Sequence, residues 1–89
     1  MKIYLITYDL RVPGKDYGGL YEAIKLVGTQ WYHPLESVWI VKTSLEKADD
    51  VYNKICNAID KNDRLFVVEI NNENMQGWLA KQFWDWLNN

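Results

Sequence analysis

The sequence predicts a small α+β domain in which strands and helices follow one another in the order β-α-β-β-α-β-α. Three observations lead to this prediction. Runs of β-branched and aromatic residues alternate with segments whose apolar residues recur every three or four positions. The segments are separated by short polar breaks. Of the 89 residues, 48% are hydrophobic and 15% aromatic, which suffices for one packed core in a chain too short for two ordinary domains.

The first strand is predicted over residues 3–10 (IYLITYDL), which are apolar on both alternating faces and are followed by a Pro13-Gly14 turn. A helix is predicted to begin after Asp16 and to end at Gly28, a typical C-terminal glycine. Its apolar residues have helical spacing and are Tyr17, Leu20, Ile24 and Val27.

A second strand is predicted over residues 30–32, broken by His33-Pro34, and a third over residues 37–43, so that the two form a hairpin. The second helix is predicted to begin at a capping box formed by Thr43 and Glu46. Its apolar residues are Ala48, Val51, Tyr52, Ile55 and Ile59.

A fourth strand is predicted over residues 65–70 and a last helix over residues 75–87. This order of elements predicts a ferredoxin-like βαββαβ sandwich with an additional C-terminal helix, a single domain spanning residues 1–89 whose core is residues 1–70. The last helix has an apolar stripe, with Trp78 at its border and Trp84 off it. Four aromatic residues are assigned to the core: Trp39, Phe66, Phe83 and Trp86.

Helices on one face of such a sheet leave the other face open, yet the first and third strands are apolar on both faces. A partner must therefore cover the second face. We expect a homodimer, since twofold dimers are the commonest oligomers. The alternative is that the C-terminal helix covers the face itself.

Charge and cysteine content exclude several classes of protein. Ten basic and twelve acidic residues give a net charge of −2, so a strong nucleic-acid footprint is absent. Cys56 is the only cysteine, which excludes an intramolecular disulfide and fits a reducing cytoplasm. No apolar run approaches the roughly 20 residues of a membrane span, and no export signal is recognisable.

Asp9, at the end of the first strand, is the candidate catalytic and metal-binding residue. Two such carboxylates meeting across a dimer axis could hold a magnesium ion that activates water against a phosphodiester. The competing interpretation is a simple turn residue. His33, the only histidine, is predicted to lie on the surface.

The segment RVPGKDYGG at residues 11–19 is the candidate ligand site, because it combines cations, glycines and a helix start that can receive a phosphate. An ordinary turn is the alternative, and Asp16 would compete for the same amides. Four aromatic rings nearby could stack on a base, those of Tyr17, Tyr21, Trp31 and Tyr32. The predicted ligand-binding residues are Arg11, Gly14, Lys15, Tyr17, Trp31 and Tyr32, and Trp84 is a candidate contact for a partner protein.

Three segments carry a family resemblance: YDL at residues 8–10, ESVWIV at 36–41 and DRLFVVEI at 63–70. They resemble the small CRISPR-associated adaptation proteins, dimeric partners of the CRISPR integrase. The whole chain is similar to short bacterial and phage proteins labelled SinR-like, which share the YDL…PG.DY start and the GWL…WDWL ending. In some CRISPR relatives the aspartate ending the first strand is associated with magnesium-dependent nuclease activity, and Asp9 is the matching position.

These observations leave three hypotheses. The first is a homodimeric, non-catalytic binding module for a phosphate-bearing ligand, either a nucleotide or a nucleic acid. The phage association of the resembling proteins implies one form of it, an inhibitor that sequesters a nucleotide signal. The second is a magnesium-dependent nuclease using Asp9. The third is a structural subunit that binds another protein, such as a host protein.

Overall fold

The computed structural model of the protein describes residues 1–71 and 73–89. Within them it is an α+β fold that combines a four-stranded antiparallel sheet with three α-helices, as predicted at that level. The elements are β1 (Lys2–Asp9), α1 (Gly18–Lys25), β2 (Gln30–Leu35), β3 (Val38–Thr43), α2 (Ala48–Ile55), a 3₁₀ turn (Cys56–Ala58), β4 (Arg64–Ile70) and α3 (Lys81–Leu87). None of the described helices is long and apolar enough to span a membrane.

The strands lie in the order β2-β3-β1-β4, and each neighbouring pair is antiparallel. β2 was predicted to break at His33-Pro34, but it continues to Leu35 through a register shift that lies between Tyr32 and Leu35. The prediction was wrong because β2 is an edge strand, where a proline removes no essential ladder hydrogen bond.

The first face of the sheet is covered by α1 and α2. Its core consists of Tyr4, Ile6, Trp39 and Val41 from the sheet and Leu20, Ile24, Val27, Val51 and Ile55 from the helical side. The Tyr4 hydroxyl, although fully buried, donates a hydrogen bond to the Leu45 carbonyl at 3.0 Å. This face therefore has the packing that the helical spacing of the sequence indicates.

The second face of the sheet is partly covered by α3. Phe83 and Leu87 pack on Ile40, together with half-buried residues of β1, β4 and the segment before α3. The C-terminal helix thus covers part of the face, which was the alternative to a dimer. One cross-strand row is covered less than the rest, with Leu35 and Phe66 exposed at its two ends and Val38 and Thr7 half-buried between them.

Phe66 is the one aromatic residue wrongly assigned to the core, since 60% of it is exposed. Its side chain lies on the edge strand β4, outside the apolar cluster that α3 forms on the second face. Trp39 and Phe83 are buried as predicted, and Trp86 is half-buried against Phe83 and Tyr32.

Two helix starts also differ from the sequence prediction. α3 begins at Lys81 rather than at residue 75, and Gly77, a poor helix former, lies in the non-helical segment that precedes it. α2 begins at Ala48 without a side-chain cap, so the predicted capping box is absent. Thr43 is instead the last residue of β3, where its hydroxyl donates to the Val27 carbonyl and accepts from Leu45 N–H.

Gly28 does not end α1, as was predicted, because α1 ends at Lys25. In the described part of the chain positive φ occurs only at Gly14, so Gly28 has no left-handed conformation to supply. A Cβ at Gly28 would overlap the Lys42 carbonyl oxygen and lie 2.7 Å from the Thr43 Cβ. This glycine is needed for the close approach of two backbone segments.

Lys42 anchors α3 to the sheet. Its side chain is buried on β3, and its ammonium group donates to the Trp86 and Asn89 carbonyls at the end of α3. The same group lies 4.6 Å from the centroid of the Trp86 ring. A cation at this end of a helix satisfies carbonyl groups that lack helical partners and complements the helix dipole.

We expect Lys42→Met to lower the free energy of unfolding by about 2 kcal/mol, because it keeps the aliphatic stem and removes charged hydrogen bonds. Urea denaturation measures this loss. The control is Lys25→Met, which removes another lysine that contacts a ring, at 5.0 Å from Trp31, and an ion pair with Glu22. Because that lysine is more exposed, its loss should change stability by less than about 1 kcal/mol. Equal losses in the two variants would contradict the anchoring role.

Candidate functional site

The end of β1 forms one wall of an open pocket of about 560 Å³. The start of the loop after β1, α1 and the β2–β3 connection supply the other walls. Its lining residues are aromatic, acidic, aliphatic or small: Tyr8, Asp9, Leu10, Tyr21, His33, Glu36 and Ser37. This pocket contains Asp9, the residue singled out from the sequence, but most of its other residues were not predicted to act together.

The aromatic walls of the pocket form one continuous set of ring contacts. The His33 ring is stacked on Trp39, with centroids 3.8 Å apart and planes 13° from parallel. Tyr21 stacks on the same indole at 6.0 Å and lies 6.3 Å from Tyr8. Because Trp39 is buried and fixed in the sheet, it holds the rings around it in place.

Hydrogen bonds fix the orientation of these rings. Trp39 Nε1 donates to the Tyr8 hydroxyl at 3.1 Å, and this hydroxyl donates to the Glu36 carbonyl at 3.2 Å. His33 Nε2 lies 2.9 Å from the same carbonyl oxygen. A carbonyl oxygen can only accept, so Nε2 carries a hydrogen and Nδ1 is left as the acceptor of the neutral ring. Burial raises the pKa of the Tyr8 phenol, which keeps it a neutral donor.

Charged groups lie at the rim of the pocket. The Asp9 carboxylate accepts a hydrogen bond from Arg11 Nε at 2.9 Å, and both side chains are more than half exposed. Exposed pairs of this kind contribute roughly 0–1 kcal/mol, so either partner can be exchanged for a ligand group. The Glu36 carboxylate has no ion-pair partner among the described residues.

The loop after β1 is an ordered turn. Lys15 N–H donates to the Val12 carbonyl at 3.3 Å, and Gly14 has φ +78°, the geometry that a Pro-Gly turn of type II requires. The Asp16 carboxylate accepts from Gly18 N–H at 2.8 Å. Asp16 therefore occupies an amide that a phosphate would need, as the sequence suggested.

The predicted loop ligands are already engaged with the turn before β4. Lys15 lies 3.8 Å from an Asp60 carboxylate oxygen and 5.2 Å from the Tyr17 ring centroid. Tyr17 itself is buried and donates to Asp63 at 2.9 Å. Its ring consequently belongs to the protein core rather than to an open stacking surface.

Two further predicted ligand residues lie on opposite sides of the sheet. Trp31 is on the first face, 5.3 Å from Trp39 and beside Lys25. Tyr32 is on the second face, 5.3 Å from Phe83. Neighbouring strand residues alternate between faces, so these two cannot flank one ligand. The structure does not bring the predicted set together as one site.

Trp84, the predicted partner contact, is half-buried and packs edge-on against Phe83 at 5.2 Å. Of the tryptophans near the C-terminus, Trp78 is the one that projects into solvent, with 99% of its surface exposed. Tyr21 was among the rings expected to stack on a base, and the pocket residues that sequence reasoning missed are Tyr8, His33 and Glu36. Tyr8 reaches the pocket because β1 pairs with β3, the strand that carries Trp39.

Within the described residues, Asp9 is not part of a cluster of potential metal ligands. The described residues contain no group of three or more His, Cys, Asp and Glu side chains placed to hold a metal ion. A magnesium site shared with a second copy stays a prediction.

Comparisons of the chain with protein-family models, with curated proteins and with solved structures found no match.

Proposed function

We propose that the protein is a non-catalytic binding module that holds a nucleotide in the pocket at the end of β1. The observation that supports this proposal is the preformed set of aromatic rings beside an exchangeable arginine. Pockets that bind small molecules combine apolar and aromatic walls with a few oriented polar groups, and this pocket has that composition.

The base would stack against Tyr21 and His33. Stacking on an aromatic side chain is worth roughly 1 to 3 kcal/mol per base. The carboxylates of Glu36 and Asp9 can accept hydrogen bonds only, so they suit a base that carries exocyclic amino groups. The neutral His33 ring offers Nδ1 as a further acceptor.

The phosphate would bind Arg11. A guanidinium forms two parallel hydrogen bonds to a phosphate, which is a stronger arrangement than the single exposed bond it makes to Asp9. Arg64 lies opposite Asp9 in the β1–β4 register and bonds only to main-chain carbonyls in the described structure. It is a second cation at the same end of the sheet.

The architecture we propose for this module is ferredoxin-like. The order β2-β3-β1-β4 with antiparallel neighbours supports it, because two interleaved βαβ units place their strands in this order. We also propose that the protein acts in the cytoplasm, where the single free thiol of Cys56 is kept reduced. Sequestration of a nucleotide signal is the form of function that fits a binding module without catalysis.

Calorimetric titration with a nucleoside, its monophosphate, its triphosphate and inorganic phosphate tests the proposal. We expect the nucleotides to bind more tightly than the nucleoside or phosphate alone, because the base and phosphate contacts combine. Arg11→Ala and Tyr21→Leu should each weaken binding about 10-fold. Lys54→Ala, which removes an exposed lysine on α2, should leave the affinity unchanged.

Two outcomes would contradict the nucleotide site. One is the absence of heat with every ligand, and the other is binding that is unchanged by Arg11→Ala and by rising salt. A magnesium assay on short oligonucleotides examines the second hypothesis: cleavage that disappears in Asp9→Ala would replace the binding module with a nuclease.

A further inference from the structure

Glu36 lines the pocket at the end of β1, and its carboxylate has no hydrogen-bond or ion-pair partner within the part of the chain that the structure describes. Asp9, the other acidic residue of the pocket, already accepts a hydrogen bond from Arg11 Nε at 2.9 Å. A carboxylate can accept two parallel hydrogen bonds from one planar group. Glu36 is therefore the charged acceptor that this pocket leaves for a ligand.

The main chain of Glu36 is held in a short turn. Glu36 and Ser37 alone connect β2 to β3. The Glu36 carbonyl oxygen accepts a hydrogen bond from the Tyr8 hydroxyl at 3.2 Å and lies 2.9 Å from His33 Nε2. These contacts fix the point at which the Glu36 side chain leaves the main chain, so the carboxylate starts from a defined position beside the rings.

The His33 ring sets the plane in which a base would lie. One face of this ring is stacked on the buried Trp39 at 3.8 Å, and His33 is itself exposed, so its outward face can receive a base. A hydrogen bond from an imidazole N–H lies close to the ring plane, which places the Glu36 carbonyl at the edge of the ring rather than above it. A base stacked on the outward face of His33 consequently has one edge beside Glu36.

We propose that the nucleotide of this pocket carries guanine and that Glu36 selects it, an inference that rests on the nucleotide site proposed above. Guanine presents its N1–H and its 2-amino group side by side, and these two donors match the two oxygens of one carboxylate. Adenine and cytosine each place a ring-nitrogen acceptor next to the amino group, and this acceptor would face a carboxylate oxygen. Uracil offers one N–H between two carbonyl groups. The Glu36 carboxylate thus favours guanine over the other three bases.

Calorimetric titration of the full chain with the monophosphates of guanosine, inosine, adenosine, cytidine and uridine tests this selectivity. All five ligands carry the same phosphate, so differences in affinity report the base. We expect guanosine monophosphate to bind most tightly. Inosine monophosphate, which keeps N1–H and lacks the 2-amino group, should bind about 10-fold more weakly, and adenosine monophosphate about 30-fold more weakly.

Glu36→Gln separates recognition of the base from a role in folding. It keeps the size of the side chain and exchanges one acceptor oxygen for an NH₂ donor. Guanosine monophosphate should bind about 10-fold more weakly to this variant, whereas adenosine monophosphate, whose amino group and ring nitrogen match an amide, should bind at least as tightly as before. A purely structural role would weaken both nucleotides together.

The matched control is Glu46→Gln. It removes the same charge from an exposed residue that follows β3, at the end of the sheet away from the pocket. The ratio of the guanosine to the adenosine affinity should be unchanged in this variant. A thermal melt of both variants checks that they fold, and each should melt near the natural chain because both positions are exposed.

The outcomes separate this inference from the proposed function. Failure of every monophosphate to bind would overturn the nucleotide site and the guanine inference with it. Equal affinities for the five ligands would leave the nucleotide site standing and refute the preference for guanine. A guanine preference that persists in Glu36→Gln, or that disappears in Asp9→Asn instead, would contradict the assignment to Glu36.

Discussion

Replacement of Gly28 by alanine is expected to destabilise the protein by about 3 kcal/mol, a large part of the roughly 5 to 15 kcal/mol that holds a domain folded. The added Cβ would meet the Lys42 carbonyl oxygen and the Thr43 Cβ. Both belong to β3, which is fixed between β1 and β2. The Thr29 N–H bond to the same carbonyl, at 3.1 Å, would have to lengthen as the turn moves away.

Gly19→Ala is the matched control. Gly19 is in the first turn of α1, has no heavy atom within 4 Å of a built Cβ, and lacks positive φ. Alanine there should raise stability by about 0.5–1 kcal/mol, because it reduces the entropy lost on forming the helix. Chemical denaturation of both variants measures whether each substitution raises or lowers the free energy of unfolding. A loss below about 1 kcal/mol in Gly28→Ala would refute the close-approach argument.

Replacement of Asp63 by asparagine is expected to lower the melting temperature by about 10 °C. The buried Asp63 carboxylate accepts hydrogen bonds from Arg11 N–H at 2.7 Å, from Asp60 N–H at 2.8 Å and from the Tyr17 hydroxyl at 2.9 Å. An asparagine amide would direct its NH₂ group at one of these donors, which leaves a buried donor without an acceptor. The loop after β1 and the turn before β4 would separate.

The controls for Asp63 separate charge from connectivity. Tyr17→Phe removes one of the three donors and should lower the melting temperature by about 5 °C. Asp16→Asn replaces an exposed carboxylate that accepts a single bond, from Gly18 N–H, and an amide oxygen can still accept it. This variant should melt close to the natural chain. If Asp63→Asn does so as well, Asp63 does not link the two segments.

Asp63 also predicts a pH dependence. Burial alone would raise the pKa of this carboxyl, but the bonds from Arg11, Asp60 and Tyr17 outweigh it and lower the pKa below 3.8. The stabilisation is therefore complete above the ordinary pKa and is lost as the pH falls through the lowered value. Melting curves from pH 7 to pH 2 should show the difference between natural chain and Asp63→Asn shrinking below pH ~4. A difference in melting temperature that does not change with pH would show that the destabilisation in Asp63→Asn comes from the altered hydrogen-bonding geometry and not from the lost charge.

The sequence left two ways to cover the second apolar face of the sheet, a homodimer or the C-terminal helix. α3 covers the region around Ile40, whereas Leu35 and Phe66, at the two ends of a neighbouring cross-strand row, stay exposed. A homodimer was predicted from the sequence because both faces of β1 are apolar. It stays a prediction.

Local sequence determined the elements of this protein, because each is encoded by its own spacing and turn residues. The alternating apolar runs predicted all four strands, and the helical intervals at Val51 and Ile55 predicted α2. Pro13-Gly14 predicted the turn after β1, since proline and a glycine with positive φ define it. Asp16 was predicted to compete for helix amides, which it does.

Only the tertiary structure decided which residues meet. Asp63 links two segments about 50 positions apart in sequence. Gly28 was predicted to end a helix, but its role is set by the close approach of β3. The rings of Tyr8, Tyr21 and His33 converge because β1 pairs with β3 and the edge strand β2 shifts its register between Tyr32 and Leu35. Such contacts depend on register and on packing between distant segments. Local spacing does not specify these, because a helical or alternating pattern fixes the type of an element and not the neighbour against which it pairs or packs.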